Sequence, residues 1–198
     1  MKNVIFFLSL CFCSSNFAQG FDASILAGFN AAQIDGDDLA GFNKFGLHGG
    51  VKVGYFLKPK LHLSTEFLLS QRGSRSSIRL GSPTVDSNIS LNYIELPIVI
   101  SFMDWLVDDS YHKVRADVGL SYAYLYNAKA SNSFFEDDVD LFANNDVSFL
   151  VGLGYRFNKK LGINLRYTRS VTALFNDPDV LVRGLFGYFV TFRVEYHL

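Results

Sequence analysis

Every second residue of "VRADVGLSYAYLY" (114–126) is apolar or aromatic, and the residues between are small or polar with one exception. Val114, Ala116, Val118, Leu120, Tyr122, Tyr124 and Tyr126 form one set, and Arg115, Asp117, Gly119, Ser121 and Ala123 form the other, with Leu125 breaking the pattern. Successive side chains of a strand point to opposite faces, so this alternation specifies a β-strand with one greasy face. The pattern recurs along nearly the whole chain, over 21–31, 45–56, 60–71, 90–101, 112–127, 146–157, 160–171 and 186–198. Eight such segments of roughly ten to sixteen residues each suit tilted strands that cross a bilayer. No other feature restricts the fold as strongly.

The connections alternate in length. Links 57–59 and 158–159 are tight, 102–111 is intermediate, and 32–44, 72–89, 128–145 and 172–185 are long and polar or Gly-rich. Short turns at one end and long loops at the other describe an up-and-down barrel with short periplasmic turns and long extracellular loops. "DWLVDD" (104–109) is expected to form at most one helical turn. With no composition break, 19–198 reads as one domain, an all-β, eight-stranded antiparallel transmembrane barrel. In hydrocarbon no strand edge can stay unpaired, so the eighth strand is expected to close against the first.

A lipocalin-like soluble barrel would also alternate, with its greasy face inward. Three features favour lipid outside. The polar face is rich in small residues (Ser24, Gly28, Gly50, Gly54, Ser64, Gly119, Ser121, Gly152, Gly154, Gly162), which suit a narrow interior. Its charges balance: Asp22, Glu66, Glu95, Asp117 and Glu195 against Lys52, Arg115, Arg156, Arg166 and Arg193. Buried charges need partners, and five against five allows a paired lumen network. Aromatics gather toward strand ends, as in interfacial girdles: Phe21, Phe45, Tyr55, Tyr93, Trp105, Tyr124, Tyr126, Phe157, Tyr167, Tyr188 and Tyr196.

The start, "MKNVIFFLSLCFCSSNFAQG", has a positive Lys2, an apolar run from Val4 to Cys13 and a small Ala18. It reads as a secretory signal over about 1–18. Lipidation at Cys11 or Cys13 is disfavoured because bulky Leu10 and Phe12 precede them. Both cysteines fall inside this segment, so the exported chain is expected to carry no disulfide or thiolate site. The 18 basic and 19 acidic residues leave a net charge of −1, with no basic run for nucleic acid.

"GLHGGVKVGYFLKPKLHLSTEFLLSQRGS" (46–74), "LNYIELPIVISF" (91–102) and "VGLGYRFNKKLGINLRYTRSVTALF" (151–175) resemble the PorT family of outer-membrane barrel proteins. The most specific strings are Glu66…Ser70-Gln71…Gly73, Tyr93-x-Glu95-x-Pro97 and Leu165-Arg166-Tyr167. The resemblance implies an eight-stranded barrel in Gram-negative bacteria that glide or use type IX secretion, and its founding member serves protein export. Pro97 removes a ladder donor and is expected to mark a kink near the periplasmic end of the fourth strand.

The chemistry-bearing residues are better explained as structure. His48, His62 and His197 share the lumen face with Glu66, Glu95 and Glu195, but their positions along the strands keep them from converging as a metal site. No outward-facing His lies near an outer strand end, which disfavours a Ser–His lipid hydrolase; His112 is at the periplasmic end. "IDGDD" (34–38) and "EDDVD" (136–140) lack the ligand spacing of a calcium loop and read as solvated charge, or as charge bridged to lipopolysaccharide through divalent ions. Arg72, Arg75 and Arg79 are expected on an outer loop, meeting lipid phosphates or the acidic loops.

No catalytic, cofactor or metal residue is therefore expected. The expected role is a non-enzymatic membrane scaffold or interaction protein, with export assistance as its sharpest form. A narrow solute channel and a surface adhesin using the outer loops are the alternatives. The expected partners are outer-membrane lipid and lipopolysaccharide, barrel-assembly machinery and secretion-apparatus proteins, with no nucleic acid. Tyr196 and Leu198, an aromatic and an apolar residue at the end of "GYFVTFRVEYHL", resemble a C-terminal signal read by the assembly machinery.

Overall fold

The computed structural model describes residues 21–35, 41–76, 88–108, 110–131, 142–174 and 184–198. The proposed signal segment, the "EDDVD" string, Arg79 and most of "IDGDD" lie outside the described residues. Eight strands follow one another: β1 (Phe21–Asp35), β2 (Lys44–Lys58), β3 (Leu61–Arg75), β4 (Asn88–Val107), β5 (Tyr111–Ser131), β6 (Asn145–Arg156), β7 (Leu161–Ser170) and β8 (Phe186–His197). Each pairs antiparallel with its neighbour, and the order β1-β2-β3-β4-β5-β6-β7-β8 closes on itself. The closing ladder runs from Ser24↔His197 to Asp35↔Phe186, and the Leu198 amide donates to the Ala23 carbonyl at 3.0 Å.

The side-chain alternation becomes an inside and an outside. Leu47 (72% exposed), Leu153 (67%) and Leu120 (62%) point outward, while Ser64, Glu66, Asp117 and Arg193 on the opposite parity are buried. An outer wall this apolar, around a charged interior, is the reverse of a soluble barrel. Most expected girdle aromatics are exposed on it, including Phe21, Phe45, Trp105, Tyr124 and Tyr126. Tyr93 is the exception: it is 1% exposed and faces the lumen.

Tyr93 and Leu125 keep the inward parity of Glu95 and Ala123, and the pattern breaks just beyond them. The β4–β5 register slips by one residue at Asn92/Tyr93, where Asn92↔Asn127 is followed by Tyr93↔Leu125. A bulge of this kind resets side-chain parity beyond it. Leu125 lies before the bulge and shares the inward parity of Ala123, whereas above it Ala128 and Ala130 turn inward and Asn127 turns out. Asn127, whose odd number would place it with Ala123 and Leu125 in an unbroken strand, is exposed for that reason.

Two further expectations are corrected. Residues 104–107 form no helical turn. β4 runs through them, paired from Met103↔Arg115 to Val107↔Tyr111, and the link is a tight turn in which the Ser110 amide donates to the Val107 carbonyl at 3.0 Å. Trp105 (φ 59°) and Asp108 (φ 48°) take left-handed backbone conformations to make this hairpin end. Pro97 lies in mid-strand, not near the periplasmic end. It pairs with Ser121, and the β3–β4 register is the same on either side of it. Its carbonyl accepts the Thr65 hydroxyl at 3.2 Å.

Small residues on the inner face make room for large ones. A Cβ on Gly54 would collide with the His62 imidazole, and one on Gly154 would sit 2.8 Å from Arg115 Cγ and Nε. Gly154→Val should overpack the lumen and lower stability by about 1–3 kcal/mol, as core overpacking generally does. Urea unfolding of the refolded barrel in detergent micelles checks this; an unchanged midpoint would show that Arg115 has free space to move into.

Candidate functional site: a charged, plugged lumen

The inward parity of β3 brings Glu66 to the centre of the barrel. Arg166 donates to it through two parallel bonds of 2.8 and 2.9 Å, and Arg193 through two more of 2.8 Å each. β3 and β7 stand opposite each other in the ring, so the Glu66–Arg166 pair crosses the full lumen. Planar guanidinium groups match both carboxylate oxygens at once, which a lysine could not do.

Glu195 on β8 is the second hub. Lys52 reaches it at 3.1 Å, Arg193 Nε at 3.2 Å, and Arg115 Nη2 by a short bond. Arg115 also binds Asp117 at 3.2 Å; Asp117 accepts Ser101 Oγ at 2.7 Å and Asn164 Nδ2 at 2.9 Å. These side chains come from β2, β4, β5, β7 and β8, so the network ties most of the ring together. Charges so deep are tolerated only when paired and hydrogen-bonded.

Higher up, Arg72 extends from β3 between two carboxylates, with Nη2 2.7 Å from Glu95 Oε1 and Nη1 donating to Asp146 Oδ2 at 2.8 Å. Its guanidinium lies 4.7 Å from the centre of the Tyr93 ring and 4.3 Å from that of Phe189. Ser121 donates to Glu95, and Ser148 and Thr172 donate to Asp146. Arg72 was expected on an outer loop; β3 continues to Arg75 and carries it inside. Its even-numbered parity with Glu66 and Ser70 was the available signal. Asp146 was missed in the same way, although it shares parity with Ser148 and Gly152.

Of the ten charges expected in the network, eight are joined in it. Arg156 sits at the periplasmic mouth, half-buried, where its Nη2 donates to the Lys159 carbonyl at 2.9 Å. Asp22 pairs with His62 at the same end. The fully buried set is instead Lys52, Arg72, Arg115, Arg166 and Arg193 against Glu66, Glu95, Asp117, Asp146 and Glu195. Arg72 and Asp146 take the places expected for Arg156 and Asp22, and the balance of five to five is kept. His62 and His197 lie at the periplasmic end, and His48 pairs with Ser70 farther up the wall. Among the described residues, no three His, Cys, Asp or Glu are grouped to hold a metal.

Above Arg72 the lumen turns apolar. Ile34, Ile89, Leu91, Tyr93, Leu125, Phe142, Leu174 and Leu185 pack into a buried cluster across the outer end. Phe142, Leu174 and Leu185 lie just outside the strands, beside the start of β6, the end of β7 and the start of β8, and their side chains complete this cluster. The Leu174 amide donates to the Leu185 carbonyl and the Ala143 amide to the Leu174 carbonyl, fixing this plug. The cavity under it, lined by Arg72, Tyr93, Ser170 and Phe189, has about 10 Å³, room for about one water.

A family model described as outer membrane protein beta-barrel domain matches residues 16–176. The chain belongs to that family. Its place is the outer membrane. The barrel is similar to Ail, the attachment invasion locus protein of Yersinia pestis, solved with the heparin analogue sucrose octasulfate. The two share 14% identity over 90% of this chain and 99% of Ail, with a TM-score of 0.50. Two others are the N-terminal barrel of Pseudomonas aeruginosa OprF (12%, 91% and 100%, TM-score 0.40) and E. coli outer membrane protein W (10%, 91% and 100%, TM-score 0.44). At these identities the likeness is one of fold. No curated protein matches the chain in sequence.

Removing Glu66 leaves two buried arginines without their main partner. Glu66→Ala should cost about 3–5 kcal/mol, the usual penalty for breaking a buried pair. Arg169→Ala, whose side chain is half-exposed and 3.9 Å from Asp35, should stay within about 0.5 kcal/mol. Paired urea titrations of the two variants, scored by the heat-modifiable gel shift, check the contrast; equal midpoints would remove the central role of Glu66.

Proposed function

We propose that this barrel is a non-enzymatic scaffold of the outer membrane that works through its wall and rims, with assistance to protein export as the specific task. The observation that carries the reading is the interior. Ion pairs span it from strand to opposite strand, and an apolar plug fills its outer end. What is left for partners is the outer surface, the periplasmic turns and the extracellular connections. The PorT-like strings around Glu66, Tyr93 and Arg166 support the export version through their resemblance to a family whose founding member serves protein export. The proposed partners are secretion-apparatus proteins, lipopolysaccharide at the outer rim, and assembly machinery reading the exposed Tyr196 and Leu198.

Two rival readings are less well supported. A solute channel needs an open path, and two lumen cavities among the described residues, one at each end, hold only about 10 Å³ each. A polyanion-binding adhesin of the Ail kind needs a basic outer surface. The outer connections 36–43, 76–87, 132–144 and 171–185 instead carry nine acidic and two basic residues. Such a surface repels sulfated polysaccharide.

Two experiments separate these readings. Planar-bilayer recordings of the refolded barrel should show no stable nanosiemens-scale step; a persistent open level would establish the channel. Deleting the chain from its host should block surface delivery of exported proteins while solute uptake stays normal, and affinity purification in mild detergent should retain secretion-apparatus subunits. Intact secretion in the deletion strain would refute the export role.

A further inference from the structure

The lipid-facing wall is uneven. Phe45, Leu47, Phe67 and Leu69 stand out from it on β2 and β3, while β5 and β6 present Ala116, Val118 and Val151. Two apolar hollows of about 410 and 490 Å³ occupy this lower stretch and share Val151. Both volumes fall within the roughly 300–1,000 Å³ of small-ligand clefts. Gly119, Leu150, Asp117 and Gly152 also line them. These have inward parity, so the floor is the backbone of the sheet. Val118 pairs with Ile100 on one side and Val151 on the other, and Val151 pairs with Tyr167. The two hollows therefore form one trough across the strands.

A cation stands at the periplasmic end of this trough. The pair Ala116↔Leu153 is followed on the ladder by Val114↔Tyr155. Lys113 comes next on β5, about 10 Å from Ala116 at the usual strand rise. Its ammonium lies 4.8 Å from the centre of the Trp105 ring and 5.8 Å from that of Tyr155. The Tyr155 ring meets Phe157 edge-on at 5.3 Å, and Phe157 and Trp105 are both exposed. The solvent-exposed Lys60–Asp104 ion pair, one residue before Trp105, marks the polar boundary at this level. Trp105 holds its ring there at a φ of 59°, a backbone conformation that is costly for a bulky side chain. An apolar trough in the hydrocarbon that ends in interfacial aromatics and a lysine matches the two halves of one phospholipid.

We propose that this trough is a preferred site for one phospholipid of the inner leaflet, with an acyl chain over Val118 and Val151 and an anionic headgroup on the Lys113 ammonium. Aromatic rings carry no net charge and leave that of Lys113 in place, so a headgroup of net negative charge is favoured over a zwitterionic one. The site rests on the outer-membrane location and goes beyond the scaffold reading.

Trp105 is the single tryptophan of the chain, so its fluorescence reports the lipid beside it. The barrel is refolded into phosphatidylcholine vesicles containing rising proportions of acyl-brominated phosphatidylglycerol or acyl-brominated phosphatidylcholine, and quenching of Trp105 gives the relative affinity of the two. Phosphatidylglycerol should be preferred about fivefold, the usual effect of one lysine at an anionic surface. Lys113→Gln should remove the preference, and Lys58→Gln, at another periplasmic turn, should keep it. Val151→Phe fills the trough and should raise the phosphatidylglycerol fraction needed for half-quenching about twofold or more, because contact with the chain is lost. Val51→Phe, on the lipid face of β2 outside the trough, should leave that fraction unchanged. Each variant is first shown to be folded by its gel shift. Equal affinity for the two lipids, a preference that survives Lys113→Gln or falls equally in Lys58→Gln, or half-quenching unmoved by Val151→Phe would overturn the proposal. Absence of quenching by either lipid would show the trough covered by protein and would overturn it as well.

Discussion

Hydrocarbon offers no hydrogen-bond partner to a peptide group, and this constraint organises the molecule. Each strand must be paired on both edges, so the sheet has to close, and it closes through the β1–β8 ladder. Closure at eight strands sets the bore. A ring that small leaves an interior only wide enough for side chains, so every inward residue competes for volume with those of the facing strands. The glycines at 54 and 154 are a consequence, since each leaves space for the ring of His62 or the stem of Arg115.

The bore then dictates the electrostatics. A lumen wide enough for water could hold unpaired charge, but this one cannot, so its cations and anions must meet directly. Several pairs are long-range in sequence and short in space, among them Glu66–Arg166, a hundred residues apart, Glu66–Arg193, Lys52–Glu195 and Arg115–Glu195. Each such pair fixes the distance between two strands that do not touch along the wall. The barrel is therefore braced from inside as well as laced around its circumference, while the outward residues answer only to lipid.

The fold was legible because its signal is repeated eight times and depends on nothing but parity. Strand ends were less legible, because polarity stops alternating cleanly once a strand leaves the membrane. Arg72 looked like loop because "RGSRSSIRL" is polar on both faces, yet β3 carries it one step past Ser70 into the lumen. Tyr93 looked like a girdle residue because aromatics are common there; its parity with Glu95 argued otherwise. The bulge opposite it could not be read at all, since a single extra residue in β5 leaves only one local irregularity, Tyr126 and Asn127 both facing out. Trp105 and Asp108 show the same limit: nothing in "DWLVDD" announces two left-handed residues and a hairpin end.

The neutrality of the lumen survived an exchange of members, and that makes it a constraint and not a coincidence. Arg156 and Asp22 stand near the mouth, where solvent can compensate them, and Arg72 and Asp146 occur where it cannot. A barrel could be neutral overall with its charges badly placed; here balance is met in the buried section taken by itself. Imbalance is displaced to the two ends, acidic in the outer connections and basic at the periplasmic mouth. The interior is thus electrically silent and sterically full, and the ends are neither. Net charge of either sign is carried at those ends, outside the buried section.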